Sequence, residues 1–191
     1  MKSKKGNAGY LRARKIRLAA EAVVSFALVA AIVITGYVTT KTRLNLLTLV
    51  AVLGCLPACR ILVNLIMVIP HRSIHEAKEL EISAHTEDVT CAYDLVITSE
   101  RSAIPVEAVV IYNNTIFGYA PSPKVDTAYA ARHIKSILKQ NGFEQVSVKL
   151  FPEYKAFLSR AEGLNNIAAV EQADTKAHEE ALKQILLDIS L

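Results

Sequence analysis

Two long apolar runs between Leu18 and Ile69 constrain this chain more than anything else in it, because they call for lipid as their solvent. Leu18 to Val38 carries a single charge, Glu21. As an α-helix this run rises about 31 Å, the thickness of a bilayer's hydrocarbon core. Leu44 to Ile69 is a second run, interrupted by Arg60 and Asn64. The link Thr39-Thr40-Lys41-Thr42-Arg43 is short and polar, so the two segments must lie antiparallel. Backbone in hydrocarbon has to satisfy its own hydrogen bonds, which makes a helical hairpin the expected form. A cleaved signal peptide fits poorly: the first run is too long, and no small-x-small site follows it. The apolar fraction of 52% is high for a soluble protein, and its excess sits in these two runs.

Charge gives the expected orientation. Residues 1–17 hold seven Lys/Arg and no acid, against Lys41 and Arg43 in the link. The positive-inside rule then places the basic tail and everything after Arg72 in the cytoplasm, with the link outside. Tyr10 and Tyr37 are consistent with anchoring at the two interfaces. The expected organisation is a basic tail over 1–17, a transmembrane hairpin over 18–71 (spans 18–38 and 44–69) and a cytoplasmic domain over 72–191, in the cell membrane. From Arg72 onward there are 12 basic and 17 acidic residues, a net charge of −5. A domain of that sign is poorly suited to a phosphate backbone, so nucleic acid is not an expected partner. Cys55, Cys59 and Cys91 form no disulfide framework and fit a reducing compartment.

Polar residues within the hairpin ask for an explanation. A charge in a span costs about 2.5–3.5 kcal/mol on insertion scales and usually has a partner. Counted from a turn at Thr42, Glu21 and Arg60 lie within about one helical turn of the same depth. They are expected to pair across the hairpin, with Asn64 one turn below Arg60. Pro57 should kink or locally break the second helix. Cys55 and Cys59 flank it at i, i+4; with Gly54 and Ala58 they read as small residues for close helix packing rather than as metal ligands. His71 and His75 lack a convincing third ligand and read as interfacial histidines.

The remainder reads as α+β, about four short strands packed with helices. Residues 73–85 favour a connector helix whose Ile74, Ala77, Leu80 (or Glu81) and Ala84 recur at helical spacing. Cys91–Ser99, Val106–Tyr112 and Thr115–Tyr119 suit strands, the last two joined by the turn signal Asn113-Asn114. Asp126 is placed to cap a helix running to about Gln140 and ending at Asn141-Gly142. Val146–Phe151 alternates as a strand. After Pro152 one helix carries Tyr154, Phe157, Leu158, Ala161 and Leu164 on a face, with a break expected near Gly163–Asn166. A last helix follows with Ala177, Leu182, Ile185, Leu186 and Ile189 on one side and a Glu179–Lys183 pair on the other. That apolar side either packs on the sheet or meets a protein partner or another copy of the chain.

Catalytic motifs are absent: no Gly-rich phosphate loop, nucleophile elbow, His-Glu-x-x-His or Cys-x-x-Cys occurs, and no cofactor or metal is expected. The run Tyr93-Asp94-Leu95-Val96-Ile97, a turn, then Val106–Ile111, a helix and a further strand resembles the core of the restriction-endonuclease-like fold. That family places an Asp on its second strand and Glu-x-Lys on its third to hold a divalent metal. Asp94 matches the first element loosely, whereas Glu107 is followed by Ala108-Val109 and has no lysine on its strand. The resemblance therefore implies at most a similar fold; the acidic candidates are Asp94 and Glu107, with Glu100 of the polar loop Ser99-Glu100-Arg101-Ser102 beside them. The whole chain is also similar to a group of small two-span bacterial membrane proteins of unassigned function, through Leu56-Pro57-Ala58-Cys59-Arg60 and Val125-Asp126-Thr127-Ala128-Tyr129-Ala130. Some of those carry a label naming O-linked GlcNAc transferase, yet this chain has no tetratricopeptide repeats and no room for a sugar-nucleotide domain.

These readings converge on a non-enzymatic, membrane-anchored cytoplasmic interaction module. The alternatives are a metal-dependent hydrolase using Asp94 with Glu107 or Glu100, and a small sensor in which Glu21 and Arg60 act through Pro57 on the connector helix.

Overall fold

The structure is a computed structural model and describes residues 4–41, 46–99, 102–123, 125–171 and 175–191. It divides into two compact units, residues 11–70 and residues 1–10 with 71–191.

The first unit is a pair of helices, α1 (Tyr10–Thr40) and α2 (Leu46–Val68). Both are long and apolar enough to cross a membrane. α1 begins inside the basic segment, and α2 continues as helix through Pro57. The shielded positions of α1 include Leu18, Ala22, Ser25, Val29, Ile32 and Gly36, and those of α2 include Ala51, Cys55, Ala58, Ile61, Leu65 and Val68. They recur every three or four residues, the interval of one helix face. Small side chains at this seam let the helices approach closely: Ala51 and Ala58 are each 1% exposed, and a Cβ on Gly54 would stand 3.5 Å from the Val29 side chain. Thr35 and Thr39 turn their hydroxyls back to the carbonyls of Ala31 and Thr35, so neither needs a partner outside its helix.

The second unit is a four-stranded sheet with helices on both faces. Helix α3 (Glu76–Ala84) leads into β1 (Thr90–Thr98), β2 (Ala103–Tyr112) and β3 (Thr115–Tyr119). Then come α4 (Thr127–Gln140), β4 (Ser147–Phe151), α5 (Tyr154–Glu171) and α6 (Lys176–Asp188). Strand order follows the sequence; β1, β2 and β3 are mutually antiparallel, and β4 is parallel to β3. A parallel neighbour needs a crossover, which α4 supplies. α4 and α6 pack on one face over Leu95, Ile97, Val106 and Ile116; α3 and α5 cover the other, over Ala108, Val110, Tyr112 and Phe151.

Local signals set several element ends. The Asp126 carboxylate accepts from the amides of Ala128 and Tyr129 at 3.0 Å each, satisfying donors that the helix itself leaves open. Asn113 supplies the positive φ of the β2–β3 turn, and Gly142 (φ +90°) that of the chain leaving α4. The outer edge of β1 is covered by both ends of the chain. Tyr93 donates its amide to Gly6 O, Thr98 to Ile189 O, and Leu191 to Val96 O. Covering an edge strand in this way blocks pairing with foreign strands.

Three expectations are corrected. α5 does not break near Gly163–Asn166, because Phe157, Ala161, Leu164 and Ala168 keep one buried stripe running through it. The inward side is formed by Ile74 just before α3 and by Lys78 and Ile82 within it, rather than by a stripe through Leu80, which is 69% exposed. Glu179 is not on a solvent face with Lys183. It is 1% exposed, and Lys183 pairs instead with Glu180 at 3.3 Å. The apolar side of α6, in contrast, packs on the sheet through Leu182, Leu186 and Leu187.

Candidate functional site

Polar side chains converge in the layer between α3 and the sheet. A strand alternates its side chains with period two, so Tyr93 and Leu95 should share a face, as should Val106 and Ala108. Neither pair does. Tyr93 and Ala108 face α3 and α5, while Leu95 and Val106 face α4 and α6. Both strands therefore switch faces at the same level. The ladder pairs Tyr93 with Ala108 and Leu95 with Val106, and passes over Asp94 and Glu107, which stand opposite each other between those pairs. Asp94 takes up the mismatch with φ +56°, a left-handed conformation that Asp tolerates better than most residues.

Both carboxylates point toward α3. Asp94 is 2% exposed, and its Oδ1 accepts the amide of Ile74 at 2.8 Å. Glu107 Oε2 lies 4.0 Å from Lys78 Nζ. Burial raises the Glu107 carboxyl above its ordinary value; Lys78 opposes the rise and Asp94 adds to it. Lys78 also donates to the Tyr119 hydroxyl at 3.2 Å, and its ammonium lies 4.9 and 5.1 Å from the ring centres of Tyr119 and Tyr154. Tyr154 donates to Glu81 at 2.7 Å, and burial followed by that carboxylate pushes the Tyr154 hydroxyl up. Each contact joins α3, or the segment entering it, to the sheet or to α5.

A second polar group lies where α5 gives way to α6. Asp88, Tyr112, Ala168, Ala169, Thr175, Lys176 and Glu179 line an open recess of ≈ 440 Å³. The buried Glu179 carboxylate accepts from Thr90 Oγ1 (2.6 Å), Thr175 Oγ1 (2.7 Å) and the Asn113 amide (3.2 Å). Tyr112 donates to Glu171 at 2.8 Å.

Of the acidic candidates, Asp94 and Glu107 are thus brought together, and Glu100 falls outside the described residues. The family pattern of an Asp on the second strand and Glu-x-Lys on the third is not reproduced: Asp94 is on the first strand, Glu107 on the second, and Thr115–Tyr119 carries neither acid nor lysine. A lysine does reach Glu107, from helix α3. Among the described residues no three His, Cys, Asp or Glu side chains stand close enough to hold a metal ion, His71 and His75 included. In the hairpin, Glu21, Arg60 and Asn64 are all exposed, and among the described residues none of the three makes a hydrogen bond or ion pair. Cys55 is half-buried at the seam and Cys59 is exposed.

Reading the sequence for motifs missed Lys78, Tyr119 and Glu179. Lys78 had a signal: it sits four residues from each of Ile74 and Ile82, on the stripe that α3 buries. Glu179 had none, since its three donors come from β1, the β2–β3 turn and the start of α6. No family model, curated protein or solved structure matches this chain.

Proposed function

We propose that this chain is a membrane-anchored interaction module whose α+β domain lies in the cytoplasm. The observation that carries the reading is the coupling of two span-length helices with apolar exposed surfaces to a domain whose buried carboxylates, Asp94 and Glu179, already accept from protein donors, with the half-buried Glu107 beside Lys78. Asp94, Glu107 and Glu179 hold elements in place and present no open acidic set to a substrate. Sidedness rests on charge, and the contacts of the N-terminal segment are consistent with it. The basic residues before α1 favour the cytoplasmic side. Lys5 donates to Ser190 O at 2.6 Å and Gly6 O accepts from Tyr93, so the segment before α1 and the domain after α2 belong to one body and share a side, as a two-span chain requires.

A partner has a surface to use in the domain, though not the apolar side of α6, which is core. Ile167 and Val170 on α5 are 49% and 85% exposed. The test has two stages. The chain should resist alkaline extraction from membranes, with a reporter fused after Leu191 on the cytoplasmic side. Partners captured from mild detergent should then be lost on Ile167→Glu with Val170→Glu, at unchanged folding. Release of the chain by alkali, or an exterior reporter, refutes the anchor; capture unaffected by the double substitution refutes the surface.

A second reading has one observation in its favour: Asp94 and Glu107 face each other on one side of the sheet beside Lys78, the arrangement a metal-dependent hydrolase would start from. It requires Asp94 to release Ile74 and Glu107 to release Lys78. Saturable Mn²⁺ binding that disappears in Asp94→Asn would establish it.

A further inference from the structure

We propose that the hairpin pairs with a second copy of this chain, Glu21 of each copy meeting Arg60 of the other. The inference rests on the membrane reading above and asks what covers two charges that the hairpin leaves bare.

Contacts within the hairpin fix its antiparallel register. Lys15 Nζ donates to Ile69 O at 2.7 Å, and Gly54 abuts Val29. Glu21 precedes Val29 by eight residues, and Arg60 follows Gly54 by six. At 1.5 Å per residue they lie roughly 12 Å and 9 Å from the Val29–Gly54 level, on the same side of it. Their depths differ by about 3 Å, well within the reach of an arginine side chain.

The two charges also border the same side of the hairpin. Glu21 lines a shallow recess with Ala20, Val24, Ser25 and Ile61. Stepping round α2 from Ile61, away from Ala58 and Leu65, Asn64 comes at about 60° and Arg60 at about 100°. Glu21 and Asn64 therefore open on one side of the hairpin, and Arg60 borders that side from the outer face of α2; all three are exposed. Opposite charges at one depth, without partners among the described residues, are unfavourable against lipid.

A second copy satisfies both at once. Two copies with the same orientation are related by a two-fold axis along the membrane normal, which preserves depth. An isologous contact then places Glu21 against the other copy's Arg60 twice over. Asn64, one turn from Arg60, adds a donor and acceptor at the same contact. An unrelated membrane protein would need its own acid and base at this depth, whereas this chain supplies both.

The test uses the full chain in lipid nanodiscs and in mild detergent, with oligomeric state read by light scattering and single-molecule photobleaching. The wild-type chain should be dimeric. Glu21→Gln or Arg60→Gln removes one side of both pairs and should weaken the dimer roughly tenfold to several hundredfold. Charge reversals carry the sharper result. Glu21→Arg and Arg60→Glu copies should each stay monomeric alone and associate when mixed, since mixing restores both pairs. If a reversal fails to insert, the neutral variants still decide. A wild-type chain that is monomeric in the membrane, or neutral variants as dimeric as wild type, would overturn the proposal. So would reversals that rescue each other only within one chain, which would place the pair inside a single hairpin. Loss of the chain from membranes altogether would strike the membrane reading instead.

Discussion

Replacing Asp94 tests the site at its most constrained point. The residue does two things: it accepts the Ile74 amide at 2.8 Å, and it occupies φ +56° in mid-strand. Asp94→Asn keeps an acceptor oxygen and tolerates the left-handed conformation, so its cost should be about 1 kcal/mol, the difference between a charged and a neutral acceptor. Asp94→Ala strands an amide on Ile74, itself 5% exposed, at about 1–3 kcal/mol. It also places a Cβ in the left-handed region without a polar side chain to stabilise it, at about 1–2 kcal/mol more. The total for Ala is about 2–5 kcal/mol, a large share of a domain's usual stability. Asp94→Gly loses the acceptor but not the conformational freedom, and should be about 1–2 kcal/mol better than Ala. Hydrogen exchange across residues 74–82 of the full chain in micelles reads the effect, because α3 is the element that Asp94 holds. At about 1.4 kcal/mol per tenfold, Ala should lower protection roughly 30-fold or more and Asn only about fivefold, with Gly short of Ala. Equal protection in Ala and Asn would refute the capping role. Gly falling as far as Ala would refute the conformational one.

The remaining predictions concern ionisation, the α5–α6 recess and a cap. The Glu107 carboxyl is raised above its ordinary 4.5 by burial, so the unfolded chain releases this proton at lower pH than the folded one. The folded state binds more protons in that window, and stability falls as pH rises from 4.5 through the folded pKa. Thermal unfolding of Glu107→Gln across this range should lack that decline, and an unchanged slope would exclude Glu107 as its source. Glu179→Ala strands donors from Thr90, Thr175 and Asn113. It should cost about 1–3 kcal/mol for each donor that water cannot reach, measured by urea titration, with Glu179→Gln milder. Asp126→Ala removes both cap bonds of α4 and should cost about 1 kcal/mol by the same titration.

What the sequence determined alone were features settled within a few residues of one another. The two apolar runs, the Asp126 cap, the turn at Asn113-Asn114 and the end of α4 at Gly142 each follow from spacing or from a local φ requirement, and such signals read the same in any tertiary setting. The placement of four strands was legible for the same reason. Tertiary structure alone decided what depends on the partner across a gap. That β4 runs parallel to β3, that α6 and α4 share a face, and that the residues before α1 cover the β1 edge are choices among distant segments, on which local periodicity is silent. Asp94 shows the boundary most clearly. An alternating strand gives no hint of a left-handed residue at its centre; the switch of faces appears only when two strands are paired and α3 must be bonded from above. Glu179 is similar: a lone acid on a helix reads as solvated until three donors from separate elements close around it, and burial of a charge becomes favourable only with that number of hydrogen bonds in place.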